Sequence, residues 1–123
     1  MEKKWIVDMV MDVFATCVGN TISETDKEFT MFDEPLVGTA SAGDALFEEY
    51  QKPAVIGPWF IKPTEWLPEA KTVISIFFPF SAQVRESNRK SVDVPSQEWA
   101  YGRIEGQEFI KNCITELSER FEK

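Results

Sequence analysis

The sequence predicts an α/β or α+β domain, in which a small sheet packs against helices from the two ends of the chain. Three observations support this prediction. Apolar runs over 36–40 and 72–79 have the composition of buried strands. Apolar residues recur at helical spacing over 5–17 and over 99–121. A length of 123 residues is typical of one domain, so we expect a single domain over 1–123.

The run over 72–79 is the segment around which the other elements are arranged. It is rich in Val, Ile and Phe, and polar and apolar residues do not alternate along it. This pattern is typical of a strand that is covered on both faces. Pro79 has no N–H to donate to a neighbouring strand. We therefore expect a buried central strand that ends at Pro79.

The strand over 36–40, a helix over 44–51 and the strand over 72–79 have the order of a βαβ unit. In such a unit the two strands are parallel and the crossover is right-handed. The small-residue turn over 41–44 is typical of phosphate sites, but GxGxxG and GxxxxGK[ST] motifs are absent, which favours a structural turn. The loop over 53–63 is predicted to fold back over the core, with a lid over a pocket as the alternative.

The amphipathic helix over 5–17 should stop at Gly19 and Asn20. A polar surface connection is predicted over 21–34, with a short extended piece near 29–32, and a short helix over 81–91. The last helix opens after Pro95 and Ser96. It contains Gly102 and Gly106, each of which costs about 1 kcal/mol relative to Ala. Close approach to a neighbouring backbone and close approach to a cofactor explain these glycines equally well.

The charge balance disfavours several classes of partner. The chain has thirteen basic and twenty-one acidic residues, which gives a net charge of −8. We therefore expect no nucleic-acid binding through a basic patch and no attraction to an anionic membrane. No apolar run reaches the ~20 residues of a membrane-spanning helix, and Asp8 and Asp12 interrupt the only segment that could be a signal peptide. A cytoplasmic protein is expected. Arg85 and Arg89 are predicted to be solvated, although together they could hold a carboxylate or a phosphate.

The residue types for common catalytic sites are scarce. The chain has no histidine, which excludes Ser-His-Asp, Cys-His and zinc-histidine sites. Cys17 and Cys113 lie outside any CxxC spacing and are predicted to be reduced, buried thiols. An enzyme working through Glu65, Glu69 or Glu105 is a third hypothesis, but no spacing pairs these carboxylates. We predict no catalytic residue and no metal site.

A sheet of two strands leaves both of its edges open. We therefore expect further strands, supplied either by a second copy of the chain or by sequence that would follow at the C-terminus. The expected partner is a homodimer mate or a missing C-terminal segment.

Three segments resemble epoxyqueuosine reductases and related corrinoid and iron–sulfur proteins. The sequence WLPEAKTVIS at 66–75, followed by FPF at 78–80, is similar to the LPGAKSVI segment that leads into a strand in that family. The segment over 36–44 resembles the family's VGFAPAD segment. The sequence AYGR at 100–103, which opens the last helix, is similar to the YAxGRDYH region. These segments span most of the chain in the family's order.

This resemblance implies an N-terminal cofactor domain with a nitroreductase-like fold. In the family this region helps to hold a cobalamin, and a ferredoxin-like segment with eight cysteines follows it. The residues that this implies for cofactor binding are Pro79, Phe80, Tyr101, Gly102, Arg103 and Gly106. Two features depart from the family. Ile104, Glu105 and Gly106 replace the Asp-Tyr-His that follows Gly-Arg, and the cluster-binding cysteines are absent.

The first functional hypothesis is therefore the N-terminal domain of an epoxyqueuosine reductase-like iron–sulfur protein. Such a domain would hold no cofactor in this chain alone and would have no oxidoreductase activity by itself; cobalamin and iron–sulfur clusters would belong to the full-length family. The alternative is a self-associating interaction module with no small-molecule site.

Overall fold

The computed structural model describes residues 3–23 and 27–122. Its elements in chain order are α1 (Lys3–Thr16), β1 (Thr21–Ile22), β2 (Phe29–Thr30), β3 (Leu36–Ser41), α2 (Ala45–Glu49), α3 (Pro63–Trp66), β4 (Thr72–Phe77), α4 (Ala82–Lys90) and α5 (Gln97–Phe121). The mixture of helices and short strands agrees with the predicted class. In the described part of the chain, no helix is both long enough and apolar enough to cross a membrane.

The chain divides into two compact units, and it passes from one to the other within β3 and β4. Unit 1 contains the described residues of 1–36 and 77–123, and unit 2 contains residues 37–76. Unit 1 therefore holds α1, β1, β2, α4 and α5, whereas unit 2 holds α2 and α3. The prediction of a single domain over 1–123 stays a prediction.

The helices of unit 1 form where the apolar periodicity predicts them. Ile6, Val10 and Val13 lie on one face of α1 and are buried. The buried residues of α5 follow the same kind of spacing: Gly102, Gly106, Phe109, Cys113 and Leu117. These two apolar faces pack together, as shown by the tilted ring pair of Trp5 and Phe121 with centroids 5.7 Å apart.

Two buried serines begin the helices α4 and α5. The Ser81 hydroxyl accepts a hydrogen bond from the Val84 N–H, and the Ser96 hydroxyl accepts one from the Trp99 N–H. The hydroxyls of Ser87 and Ser96 lie 2.9 Å apart and join the two helices. The predicted helix over 81–91 and the predicted start of the last helix are confirmed.

The segment over 21–34 is not only the polar surface connection that the sequence predicts. It forms the antiparallel hairpin of β1 and β2, in which Thr21 pairs with Thr30 and Ile22 with Phe29. Ile22, Phe29, Met31 and Phe32 are all buried. The other described residues of the segment are exposed and polar, so the average composition hides the four that enter the core. Residues 24–26 of the predicted connection lie outside the described residues.

Strands β3 and β4 pair in a two-stranded sheet, and the predicted parallel βαβ unit is wrong. The Ala42 N–H donates to the Lys71 carbonyl, the Asp33 N–H donates to the Pro79 carbonyl, and Phe32 forms an antiparallel bridge with Phe80. Partner numbers fall as chain numbers rise, so the strands are antiparallel. A parallel crossover needs a connection such as a packed helix. α2 and α3 have five and four residues, too few for that role.

The prediction of a strand buried on both faces is also wrong. No residue of β4 is buried: Val73, Ile74 and Ile76 are half-buried, the other three positions are exposed, and Phe77 is 59% exposed. The strand ends at Phe77, two residues before Pro79. The sequence is apolar enough for burial on both sides, but both faces of the strand stay partly accessible to water.

Unit 2 has little interior of its own. The helix α2 begins at Asp44, whose carboxylate accepts from the Leu46 N–H. The loop over 53–63 returns to α2, where the Gly57 N–H donates to the Tyr50 carbonyl and the Tyr50 and Phe60 rings meet edge to face at 5.4 Å. In unit 2 only Ala42 and Gly57 are buried.

Candidate functional site

The segment around Pro79 and Phe80 is held against residues 31–33 inside unit 1. The Pro79 carbonyl accepts from the Asp33 N–H at 3.0 Å, and the Ser81 N–H donates to the Met31 carbonyl at 2.9 Å. The Phe80 ring is stacked on the Phe32 ring, with centroids 5.4 Å apart and planes 11° apart. The sequence prediction placed this segment at a cofactor surface, whereas here it contacts other residues of its own unit.

Gly102 and Gly106 lie on the buried face of α5, beneath two aromatic rings. A Cβ on Gly102 would lie 2.6 Å from Cε1 of Phe80, and a Cβ on Gly106 would lie 2.8 Å from Cζ of Phe32. Both distances are too short for a real side chain. The close approach expected for these glycines is therefore to side-chain rings, not to a backbone. The rings occupy the space next to both glycines, where a cofactor would have to lie.

Tyr101 and Arg103 lie outside this buried face of α5. The Tyr101 ring meets Phe29 edge to face at 6.1 Å, and the Arg103 guanidinium lies over the Trp99 ring, 5.5 Å from its centroid. Tyr101 also lines a shallow depression of about 230 Å³, together with Gln97, Ala100, Ile104 and Glu105. Small-molecule pockets usually measure about 300–1,000 Å³. The six predicted residues thus do not share one cavity, although Phe80 and Gly102 are in contact.

A larger polar cavity of about 410 Å³ lies beside α4 and the start of α5. Its walls are formed by Lys27, Gln83, Glu86, Ser87, Lys90, Gln97 and Glu98. Positive and negative side chains are mixed there, so no single sign of charge would select a ligand. Sequence reasoning missed this cavity. Only the fold brings Lys27 next to α4, and no spacing in the sequence signals it.

The other residues considered from the sequence do not form a catalytic group. Glu65 accepts a hydrogen bond from the Gln51 amide at 3.1 Å and lies 3.9 Å from the Lys62 ammonium, on the surface of unit 2. Glu69 and Glu105 are exposed, as are Arg85 and Arg89. A general acid needs an enclosed site. All three of these carboxylates are exposed.

Unit 2 exposes many large apolar side chains for its size of 40 residues. Seven large apolar side chains of this unit are exposed: Leu46, Val55, Ile56, Trp59, Ile61, Trp66 and Leu67. Two of them are tryptophans, each 74% exposed. We call these seven residues the unit 2 apolar surface. Exposed apolar residues mark an interaction site where they form one contiguous patch.

The residues present do not fit the cofactors that the family resemblance implies. Iron–sulfur clusters need about four cysteine ligands each, and the sequence contains two cysteines. Within residues 3–23 and 27–122, no group of three or more His, Cys, Asp or Glu gathers at a possible metal site. The faces of Gly102 and Gly106 are filled by phenylalanine rings. The placement of a cobalamin at these residues stays a prediction from the resemblance.

Comparison with known proteins identifies no family. No family model matches the chain, and neither the curated proteins nor the solved structures include a significant match.

Proposed function

We propose that this chain is a non-catalytic domain of an epoxyqueuosine reductase-like iron–sulfur redox protein, and that it functions when a cluster-bearing polypeptide covers unit 2. The class comes from the resemblance of the segments over 36–44, 66–80 and 100–103. The observation that carries the proposal is the unit 2 apolar surface. The chain by itself is expected to have no reductase activity, because it supplies no cluster ligands.

The energetics of unit 2 support a partner that covers its exposed apolar side chains. Ordering a residue costs about 1–2 kcal/mol of backbone entropy, which burial of apolar surface must offset. Unit 2 buries only Ala42 and Gly57, so it offsets little of this cost internally. A partner that removes Trp59 and Trp66 from water would supply the missing burial.

The size of the exposed surface also suits a specific interface. Full burial of an aromatic side chain covers about 150–250 Å², so two tryptophans at 74% exposure offer roughly 200–400 Å². The five aliphatic side chains of the unit 2 apolar surface add to this exposed area and bring it closer to that of a standard interface. Such an interface buries about 800 Å² on each partner. Unit 2 has three basic and five acidic residues, a net charge of −2 out of the −8 of the chain. Its weak charge favours apolar contact over charge pairing.

Hydrogen exchange on the purified chain tests this proposal. If unit 2 lacks its cover, amides in 37–76 should exchange far faster than those of α1 and α5 in unit 1. A two-cluster ferredoxin-type domain, added as the probe, should slow the exchange in 37–76. A monomeric chain whose 37–76 amides are already protected would contradict the proposal, because such a unit needs no partner.

A second candidate function is self-association, and the sheet edges favour it. Among the described strands, none besides β3 and β4 joins their sheet, so each strand has an edge that a second copy could extend. Leu36 and Phe77, at the ends of these strands, are 64% and 59% exposed. Light scattering after gel filtration separates the two candidates. A dimer with slow exchange in 37–76 supports self-association, whereas a monomer at micromolar concentration contradicts it.

A further inference from the structure

The two cysteines, 96 positions apart in sequence, meet where α1 packs on α5. Cys17 follows the end of α1 and is half-buried, while Cys113 lies within α5 and is 1% exposed. Cys17 is close enough to Cys113 to contribute to the raised pKa of its thiol. One turn away on each helix, Phe14 meets Phe109 edge to face at 5.9 Å, so the two helices are in contact at this level.

A cavity leads to one of these thiols. It measures about 400 Å³, lies at the turn that follows α1, and is lined by Phe14, Ala15, Cys17, Val18, Gly19, Asn20 and Thr21. Cys17 is part of this wall and Cys113 is not. The pair is therefore asymmetric, with one sulfur open to a small molecule and the other behind it in the core.

We propose that Cys17 and Cys113 form a redox pair, in which a hydroperoxide oxidises Cys17 and Cys113 then closes an intramolecular disulfide. The cavity provides the route for the oxidant to Cys17, and the packing of α1 on α5 places Cys113 nearby as the resolving group. Both residues belong to unit 1, so the reaction needs no change in unit 2.

The two steps balance with one hydroperoxide. The Cys17 thiolate attacks the peroxide, the O–O bond breaks, and Cys17 becomes a sulfenic acid while the peroxide leaves as an alcohol or, from hydrogen peroxide, as water. The Cys113 sulfur then attacks the Cys17 sulfur, the S–S bond forms, and the sulfenic oxygen leaves as water. The two thiols together lose two electrons, which the peroxide accepts.

The environment of Cys113 suits the slower, second step. The pKa of the Cys113 thiol is raised to about 12, mainly by burial. The neighbouring Cys17 makes a smaller contribution, through its negative charge and through hydrogen bonding. Cys113 is thus protonated and unreactive toward the peroxide itself. Once Cys17 is a neutral sulfenic acid, the contribution of its charge is gone, although burial remains. We expect disulfide closure to be slower than oxidation of Cys17.

Peptide mapping of the peroxide-treated chain tests this inference. After one equivalent of hydrogen peroxide and digestion without reductant, we expect a peptide pair joined through Cys17 and Cys113. The intact protein should be monomeric, lighter by two hydrogens, and free of titratable thiol. A higher Tm should accompany the bridge, because it constrains the unfolded chain over a long loop.

Two variants separate the roles of the cysteines. In Cys113→Ala, Cys17 should keep its sulfenic acid, which dimedone traps. In Cys17→Ser, Cys113 should remain a thiol at the same dose of peroxide. The wild-type map does not depend on either variant folding. A wild-type protein with Cys17 oxidised to sulfinic acid beside a free Cys113, or joined to Cys17 of a second copy, would overturn the inference.

Discussion

Phe32 belongs to the aromatic cluster of unit 1, together with Phe78, Phe80 and Phe109. Its ring stacks on Phe80 and on Phe109 and meets Phe78 edge to face, with centroids 5.4, 6.1 and 6.0 Å apart. The Asn20 side-chain amide accepts from the Phe32 N–H and donates to its carbonyl, both at 2.9 Å. Sequence reasoning missed this role of Phe32 because the residue lies in a polar segment without periodicity.

At Gly106, the Phe32 ring should reverse the usual effect of an alanine substitution. In an open helix Gly106→Ala would stabilise by about 1 kcal/mol. Here the new Cβ would lie 2.8 Å from Cζ and 3.1 Å from Cε2 of Phe32, so the stacked rings must move. We expect a net loss of about 1–3 kcal/mol in the free energy of unfolding, measured by urea denaturation.

Gly43→Ala is the matched control for this substitution. A Cβ on Gly43 meets no atom within 4 Å, so its effect should stay within about 0.5 kcal/mol. If Gly106→Ala were as stable as the wild type, Phe32 would not lie against Gly106 in solution.

Among the elements, α1 is joined to α5 by several side-chain contacts. They include the ring pairs Trp5–Phe121 and Phe14–Phe109 and the ion pair of Asp12 with Arg120. Arg120 bonds to Asp12 and, at 3.1 Å, to Glu116, and the Asp12 hydrogen bond is the main reason that the pKa of the guanidinium is raised. Such exposed pairs contribute little to stability, so the buried apolar faces contribute most. Each helix is evident from its own periodicity, but nothing in either sequence segment specifies that the two pair.

Burial of Cys113 in this helix contact should make the stability depend on pH at alkaline values. The pKa of the thiol is raised from 9.0 to about 12. Between these values the unfolded chain has lost the proton that the folded chain retains. The free energy of unfolding should therefore fall as pH rises from 9 toward 12, by up to about 1.4 kcal/mol per pH unit, and this contribution should be constant below pH 9.

The dependence can be measured by urea denaturation of the wild type and of Cys113→Ala across this range. Lys and Tyr titrate in both proteins, so the difference between the two curves isolates Cys113. Cys17→Ser is the control, and it should keep most of the slope because burial is the main cause of the raised pKa. Parallel curves for wild type and Cys113→Ala would contradict a buried Cys113.

Across the whole molecule, apolar residues are unequally distributed between the units. Unit 1 buries Ile6, Phe29, Phe109 and further large side chains, whereas unit 2 buries no large apolar residue and exposes seven. Stability should therefore come from unit 1 and association from unit 2.

The double variant Trp59→Ser/Trp66→Ser separates these two properties. Both side chains are 74% exposed, so the free energy of unfolding should change by less than about 0.5 kcal/mol. Binding of the dye ANS, which reports exposed apolar surface, should decrease clearly. Trp99→Ser provides the contrast: Trp99 is half-buried beneath Arg103, so its loss should lower stability and leave ANS binding unchanged. A large loss of stability in the double variant would contradict exposed tryptophans.

The sequence by itself determined the helices α1, α4 and α5, the serine caps of α4 and α5, and the positions of β3 and β4. These features depend on periodicity, capping side chains and prolines, which act over a few neighbouring residues. Only the tertiary structure decided the antiparallel pairing of β3 with β4, the rings over Gly102 and Gly106, and the meeting of Cys17 with Cys113. Each of these joins residues far apart in the chain, where packing in three dimensions, and not local preference, selects the partner.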